Sequence, residues 1–212
     1  MSDKPNVLAR IDVKLKGIFP LLMQAMTPEM IESVLIRGER PQKPKDAPLT
    51  DIAEKCLYKN DEGKIGIPQE NLFACLREAG RRVKFDGRRS ISTSDSTLLP
   101  SFLTINEGFF ILDRQEWVPD VRRGQMQNGT TVGIVRPKFK DWGFAVSIEV
   151  DLTDGMTVEK VRSLFEIAGK SIGLCAFRPQ KNGPFGRFCV ETWDVKALLT
   201  EDDLEKEQSR TA

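Results

Sequence analysis

Apolar residues follow two periods along this chain, one typical of strands and one typical of helices. Over 8–15 (LARIDVKL), Ile11, Val13 and Leu15 alternate with polar residues, which predicts a half-buried strand. From 68 to about 84, apolar residues recur at spacings of three and four, which predicts a helix with the inner face Leu72, Phe73, Leu76, Ala79 and Val83. A second main helix is predicted from an N-cap at Thr157 to Ala168, with Gly169 as its C-cap.

The remaining pattern predicts short strands and loops around these elements. Short helices are expected over 27–36 and 50–57, short extended segments over 65–67, 102–105 and 109–112, and a last strand over 186–193. The β-rich runs 130–140 and 142–151 are predicted to pair as one long hairpin. The order fits an α+β, ferredoxin-like (RRM-like) split βαβ core with an antiparallel sheet, both main helices on one face and an inserted, protruding hairpin or loop region. We expect one domain over 1–200 with insertions at about 24–60 and 86–128, then a frayed acidic tail over 201–212. The other face of the sheet is expected to be open and lined by basic residues that hold a single strand.

Composition removes several kinds of chemistry. The 212 residues include 32 Lys+Arg and 31 Asp+Glu, a formal net charge of +1, so a nucleic-acid surface requires uneven placement of charge. Histidine is absent, which excludes histidine-based acid/base catalysis, catalytic triads and H-E-x-x-H metal sites. The cysteines form no close pair, so we expect reduced thiols and no zinc site: Cys56, Cys75, Cys175 and Cys189. No apolar run approaches the roughly 18 residues of a membrane span, and we expect a cytoplasmic protein without cofactor or metal.

A run of cations follows the helix predicted over 68–84. Five lie within nine residues: Arg81, Arg82, Lys84, Arg88 and Arg89. Cations in the last turn of a helix complement its dipole, which accounts for the first three without any ligand. The dipole does not account for Arg88 and Arg89 in the loop beyond. Because guanidinium groups match phosphate oxygens, we expect this run to bind phosphates.

Two further groups combine cations with strand or turn residues. Arg122 and Arg123 precede a predicted strand on which Arg136 and Lys138 share one face that Lys140 continues. Such a face either guards a solvated sheet edge or follows a nucleic-acid backbone. A glycine-rich segment over 169–188 adds charge and aromatic rings: Phe177, Arg178, Lys181, Phe185, Arg187 and Phe188. Its glycines would let the backbone approach a ligand and its rings would stack on bases, unless the loop only packs over the sheet edge.

Three segments resemble a known superfamily. Residues 11–23 (IDVKLKGIFPLLM) look like the first strand of the RAMP (repeat-associated mysterious protein) superfamily, residues 67–78 (IPQENLFACLRE) like its next helix, and residues 172–190 like its C-terminal glycine-rich loop and strand. The chain is similar to small RAMP-like proteins of phages and prophages, and through them to CRISPR backbone subunits that polymerise along a guide RNA. The resemblance implies an RNA-binding palm that holds the basic run and the glycine-rich loop, a protruding insertion and head-to-tail assembly. An RNA-cleaving branch of the superfamily usually uses a histidine, which this chain lacks.

These observations favour a non-catalytic protein that binds RNA or another single-stranded nucleic acid and assembles along it, as a homo-oligomer or with CRISPR-type subunits. The residues expected to bind the nucleic acid are Arg81, Arg82, Lys84, Arg88, Arg89, Arg122, Arg123, Arg136, Lys138, Phe177, Arg178, Lys181, Phe185 and Arg187. The near-zero net charge keeps an alternative open, a phage protein-interaction module that mimics a backbone subunit and interferes with a host CRISPR complex. A carboxylate-metal nuclease would have to use Asp86, Asp95 and Asp141, which are more typical of solvated loop acids and caps.

Overall fold

The computed structural model describes residues 5–26, 31–32, 35–36, 47–125, 129 and 131–211. Strands and helices alternate irregularly along these ranges, and the helix predicted over 27–36 lies mostly outside them. In chain order the elements are β1 (Leu8–Gly17), β2 (Leu21–Leu22), α1 (Leu49–Glu54), β3 (Gly66–Pro68), α2 (Gln69–Ala79), α3 (Leu99–Phe102), β4 (Leu103–Ile105), β5 (Phe109–Ile111), β6 (Val118–Gln125), β7 (Thr131–Phe139), β8 (Gly143–Asp151), α4 (Val158–Ile167), β9 (Phe188–Leu199) and α5 (Glu201–Thr211). The fold is mixed α and β, with antiparallel sheets.

The main sheet has four strands in the order β4-β8-β1-β9, and every neighbouring pair is antiparallel. The alternation in β1 places Ala9, Ile11, Val13 and Leu15 in the core and the intervening residues on the other face. This confirms the strand predicted from that pattern, since residues two apart on a strand share one face.

Helices α2 and α4 cover the buried face of this sheet. Leu76 of α2 and Leu164 and Phe165 of α4 belong to the same core as β1. Phe165 also meets Trp193 of β9 edge to face, with ring centroids 5.7 Å apart. The two helices run in opposite directions, because the Cys75 thiol in mid-α2 lies 3.7 Å from the carbonyl oxygen of Ala168, while the α4 residue Lys160 donates to the carbonyl of Phe85, beyond the end of α2.

The predicted pairing of 130–140 with 142–151 is wrong. Strand β7 pairs with β6 and β2 in a separate three-stranded sheet, whereas β8 joins the main sheet, and β3 pairs with β5. The chain leaves one sheet for the other at Trp142, which is 3% exposed and donates from its indole nitrogen to the carbonyl of Phe19. Anchoring of that side chain in the core separates the two strands, and β6, which the pattern did not predict, becomes the partner of β7.

The ends of both main helices differ from the prediction. Helix α2 ends at Ala79 rather than near 84, because a neighbouring segment crosses at Gly80, where an added Cβ would lie 2.6 Å from the Ser92 hydroxyl. Thr157 caps α4 as predicted and accepts from the Lys160 backbone nitrogen at 3.3 Å. Gly169 does not end α4, since the chain continues as a π-helical turn over Ala168–Ile172. Gly169 instead lets the β9 backbone approach, because a Cβ there would lie 2.1 Å from the Phe188 carbonyl oxygen.

The acidic C-terminal segment is helical rather than frayed. Helix α5 begins after Thr200, whose backbone nitrogen and hydroxyl both donate to the Asp203 carboxylate, at 3.1 and 2.7 Å. Glu207 accepts two hydrogen bonds from Arg10 of β1, which ties the helix to the main sheet. Among the described helices, none combines the length and the apolar character that a membrane span requires.

Candidate nucleic-acid interface

The glycine-rich loop (residues 173–187) is folded against the turn between β1 and β2. Gly186 has a φ of +67° and donates to the carbonyl of Pro20 at 2.9 Å, and Ala176 donates to the carbonyl of Leu22 at 2.9 Å. A Cβ on Gly186 would lie 2.0 Å from the Leu174 carbonyl oxygen, so only glycine fits there. The glycines therefore bring backbone to backbone, as the loop-packing alternative expected.

Two phenylalanines of this loop stack on each other, but only one is exposed. The ring centroids of Phe177 and Phe185 are 6.0 Å apart at an interplanar angle of 29°. Phe177 is 39% exposed and has a φ of +50°, an unusual conformation for a bulky residue. Phe185 is 7% exposed and Phe188 only 1%, so neither of them offers a free ring face to a ligand. Phe177 remains as the stacking surface of the loop.

Arg122 joins the β6–β7 hairpin to this aromatic pair. Its guanidinium lies 4.6 Å from the Phe185 ring centroid and donates to both oxygens of Asp120, at 2.5 and 3.2 Å. Lys138 on β7 donates to the same carboxylate at 2.9 Å. Burial raises the pKa of Asp120, but the hydrogen bonds from Arg122 and Lys138 outweigh it, and the net pKa is lowered. The ionised carboxylate therefore fixes two cations beside the loop.

The other predicted cations of the β6–β7 hairpin and the glycine-rich loop differ in how many hydrogen bonds their side chains make within the protein. Arg136 shares a strand face with Lys138, as predicted, but it donates to the Gln24 side chain and is partly buried; burial lowers its pKa. Arg178 is also committed, because it donates to the Gln180 side chain at 2.8 Å and to the Cys175 carbonyl at 2.7 Å. Arg123 is exposed, and among the described residues its side chain donates to the Thr131 hydroxyl alone, at 3.1 Å.

Two cations of the glycine-rich loop have no anionic partner among the described residues. The Arg187 guanidinium lies 5.7 Å from the ring centroid of Phe19, which is 44% exposed, and its buried Nε atom has no hydrogen-bond acceptor in the described ranges. Lys181 is exposed and has no side-chain partner among the residues that the structure describes. We call the residues assembled here the hairpin–loop surface: Phe19, Arg122, Arg123, Lys138, Phe177, Lys181, Phe185 and Arg187.

The helix-end loop (residues 80–92) forms a separate basic surface. Asp86 accepts from the backbone nitrogens of Arg89 and Arg88, at 2.7 and 2.8 Å, and from the Arg89 side chain, so its pKa lies well below its usual range. Arg81 pairs with Glu78 at 3.2 Å. Other contacts are local too, since Lys84 donates to the Arg88 carbonyl and Arg89 lies over the Phe85 ring at 5.6 Å. Arg82 and Arg88 are exposed and have no side-chain partner in the described part of the chain.

The two basic surfaces do not form one palm. The helix-end loop lies at the start of α4, where Lys160 bonds the Phe85 carbonyl, whereas the glycine-rich loop follows the end of α4. The ten residues of α4 separate them by about 15 Å along the helix axis. The antiparallel packing of α2 on α4, which spacing alone does not reveal, places the two segments at opposite ends of the helical layer.

The open face of the main sheet is not the bare basic surface that we expected. The cations of β1 on this face are balanced by carboxylates from other elements: Arg10–Glu149 at 2.9 Å, Arg10–Glu207 at 2.9 Å, Lys14–Asp113 at 2.5 Å and Lys16–Glu191 at 3.1 Å. Lys196 of β9 likewise bonds Asp194. Positions of unlike charge alternate across the strands, so the face is close to neutral and offers little attraction to a polyanion.

The three acids of the nuclease hypothesis lie in separate loops. Asp86 closes the helix-end loop, Asp95 accepts from the Ser94 hydroxyl at 2.7 Å, and Asp141 lies in the connection between β7 and β8. Among the described residues, no group of three or more His, Cys, Asp or Glu side chains could hold a metal ion.

Three members of the interface were missed in the sequence. Asp120 organises Arg122 and Lys138, and its signal in the sequence was an acid two residues before Arg122, in a segment that was not predicted as a strand. Gln24 and Phe19 carry no such signal, because they reach their arginine partners only through the fold.

Comparison with known proteins places the fold but no family. No family model matches the sequence, and no curated protein sequence matches it. Sixty chains of solved structures do match in fold. One belongs to the cryo-EM structure of the type III-B Cmr-beta bound to cognate target RNA, with a TM-score of 0.55 and 11% identity. The match covers 89% of this chain and 61% of that chain, so this chain spans about three fifths of its length. At this identity the likeness is one of fold.

Proposed function

We propose that this protein is a non-catalytic RNA-binding protein of the RAMP type that assembles along its strand, as CRISPR backbone subunits do. The strand is held by the hairpin–loop surface, and the helix-end loop adds phosphate contacts. In this proposal the chain acts as a cytoplasmic protein, within a homo-oligomer or among CRISPR-type subunits.

The chain order of the main sheet supports a ferredoxin-like core. Helix α2 lies between β1 and β4 in the sequence, and α4 lies between β8 and β9. With the spatial order β4-β8-β1-β9, each of these βαβ units has one antiparallel strand between its two parallel ones. That is the arrangement of a split βαβ fold, and the β6–β7 hairpin is its inserted element.

The observation that carries the proposal is the composition of the hairpin–loop surface. The Arg187 guanidinium lies over the exposed Phe19 ring, and exposed Phe177 stacks on Phe185, which the Arg122 guanidinium contacts. The fold that carries them is shared with a chain of an RNA-bound Cmr-beta structure. Bases of any sequence stack on aromatic faces while cations follow the backbone, which is how single strands are bound without sequence readout. The Arg187 guanidinium has no anionic partner among the described residues, so its charge is available to a phosphate of the strand.

The test is mass and composition of the purified protein in solution. Light scattering after size-exclusion chromatography, with absorbance at two wavelengths, is measured before and after nuclease treatment. We expect a large species rich in nucleic acid that shrinks on digestion, and single-stranded RNA added back should restore it. A nucleic-acid-free monomer whose mass does not change when RNA is added would contradict the proposal. Labelled RNA incubated with Mg²⁺ or Mn²⁺ should stay intact, since the proposed role is not catalytic.

A second candidate is the phage protein-interaction module that occupies the assembly interface of a host CRISPR complex. The balanced ion pairs of the open sheet face favour it, as does the exposed apolar pair Ile18 and Phe19 at the β1–β2 turn. This candidate predicts a protein partner that stays bound after nuclease treatment, whereas the RNA-bound assembly predicts its loss.

A further inference from the structure

A cleft lies at the base of the β6–β7 hairpin. Its aromatic lining residue, Trp117, is not part of the hairpin–loop surface. The cleft has a volume of about 280 Å³, and its lining includes Trp117, Val118, Lys138 and Lys140. Trp117 comes directly before β6, and Val118 pairs with Lys138 across the hairpin. The cleft is therefore built on strands, which hold a binding geometry better than a loop does.

Trp117 offers this cleft a flat surface. Its side chain is half-buried and packs against the core, so its position is fixed. No aromatic ring or guanidinium from the described residues covers it, in contrast to Phe185, which is covered by Arg122 and Phe177. A fixed, uncovered indole beside cations is the arrangement on which a base stacks.

The polar groups of the cleft suit a nucleotide better than a simple anion. Lys140 and Arg114 are exposed, and neither has a hydrogen-bond or ion-pair partner in the part of the chain that the structure describes. Both side chains are therefore available to bind a phosphate group of the ligand. Glu116 and Asp141 also line the cleft and would repel a bare phosphate, but a carboxylate accepts from the exocyclic amine of cytosine.

The cleft is continuous with the hairpin–loop surface. Lys138 lines the cleft and donates to Asp120, which also holds Arg122 against the Phe185 ring. Trp117 and Arg122 are five residues apart along an extended segment, or about 17 Å. One strand of RNA can therefore contact both places.

We propose that this cleft is a nucleotide subsite, in which a base of the bound single strand stacks on Trp117 while its phosphate lies against Lys140 and Arg114. The inference rests on the proposed function and adds to it a base-contacting site at the foot of the hairpin. The same chemistry could serve a free mononucleotide, and the experiment separates the two.

The experiment measures binding of three probes: a decacytidylate, an abasic ribose-phosphate decamer and cytidine monophosphate. Trp117→Leu should weaken decacytidylate binding by about fivefold or more, the loss of one stacked base, and leave the abasic decamer unchanged. Trp117→Phe keeps an aromatic ring and should bind nearly as the wild type does. Arg114→Glu should weaken both decamers, whereas Arg77→Glu, the same charge change on exposed α2, should have a smaller effect.

Each outcome decides between the subsite and the wider function. Wild-type protein that binds neither decamer overturns the proposed function and the subsite together. If Trp117→Leu leaves the binding of both decamers unchanged, or weakens both equally, the subsite is overturned and the proposed function stands. Saturable binding of cytidine monophosphate that requires Trp117, with no effect of the variant on the decamers, would make the cleft a free-nucleotide site and overturn the strand assignment. Should Trp117→Leu lack the thermal unfolding transition of the wild type, Arg114→Glu and Trp117→Phe carry the test.

Discussion

The helix-end loop and the hairpin–loop surface are both basic, but they are built in different ways. The cations of the helix-end loop follow one another in the sequence, and their contacts are to near neighbours such as Asp86 and Glu78. The hairpin–loop surface joins three segments that are distant in sequence, through Arg122 on Phe185 and Arg187 on Phe19. A cluster of charge can be predicted from a local run of cations in the sequence. A surface that combines cations with aromatic rings from distant segments can be recognised only in the folded structure.

The aromatic residues mark a chemical difference between the two regions. Phe85 in the helix-end loop is 7% exposed and packs on Phe102 at 5.9 Å, so it belongs to the core. Phe177 in the glycine-rich loop is 39% exposed. The helix-end loop can therefore contact phosphates only, while the hairpin–loop surface can contact phosphates and bases. The two regions should respond differently to salt, to abasic strands and to substitution.

Charge reversal of the hairpin–loop surface should have the largest effect on RNA affinity. Each phosphate contact to a single strand contributes about 0.7 to the slope of log K against log salt, so loss of two contacts costs about 25-fold at 0.1 M salt. We expect at least that loss for Lys181→Glu with Arg187→Glu, measured by fluorescence anisotropy of a labelled oligonucleotide. Both side chains lack an anionic partner among the described residues, so no ion pair is broken in the fold.

The matched control is Arg88→Glu with Arg89→Glu in the helix-end loop. It makes the same change of net charge, but we expect a smaller loss because Arg89 is already paired with Asp86. A larger loss from this control than from the hairpin–loop variant would reverse the assignment of the two regions. Equal losses would indicate that the strand runs over both surfaces with the same number of contacts.

Removal of the exposed ring should have the next largest effect. Phe177→Leu should weaken binding of a natural single strand by about fivefold, the lower range for one stacked base, with no change in the salt slope. Phe85→Leu should instead leave affinity unchanged and lower the free energy of unfolding by about 1–2 kcal/mol, since it removes buried ring atoms. Paired measurements of affinity and chemical denaturation distinguish the two. An affinity loss for Phe85→Leu without a stability loss would show that the helix-end loop also contacts bases.

Elements with a strong internal period were predicted well, and the relations between elements were not. The alternation in β1 and the Thr157 cap of α4 were correct because each depends on neighbouring residues. The pairing of β7 with β6 depends on Trp142, whose burial separates β7 from β8. Gly169 acts through close approach of the β9 backbone and Gly80 through close approach of the Ser92 side chain, and the position of a glycine in the sequence reveals neither neighbour.

In the candidate site, too, local features were predicted from the sequence and contacts between distant segments were not. Arg136 and Lys138 share a strand face, as the spacing predicted, but the sequence could not show that Arg136 is held by Gln24 while Lys138 is held by Asp120. Phe177 and Phe185 were equivalent by composition, and only the packing of Arg122 on Phe185 distinguishes the supporting ring from the exposed one.

The smallest effects are expected from removing the negative charge of the two carboxylates that organise these regions, Asp120 and Asp86. Asp120→Asn should lower the free energy of unfolding by about 0.5–1 kcal/mol, after allowing for the solvent exposure of Arg122 and Lys138. Because the folded-state pKa of Asp120 lies below its unfolded value, its stabilising contribution is present above about pH 4 and is lost as the pH falls further. The difference between wild type and variant should therefore be full at pH 7 and shrink below about pH 4 in denaturation curves.

Asp86→Asn is the counterpart in the helix-end loop. Asparagine can still accept from the backbone nitrogens of Arg88 and Arg89, so the turn should persist and stability should change less than in Asp120→Asn. Both variants remove a negative charge beside arginines, so RNA affinity should rise in each, and more in Asp120→Asn if the hairpin–loop surface is the main contact. A rise confined to Asp86→Asn would assign the phosphate contacts to the helix-end loop, because removing a carboxylate helps only where its cations are the ones that meet the strand.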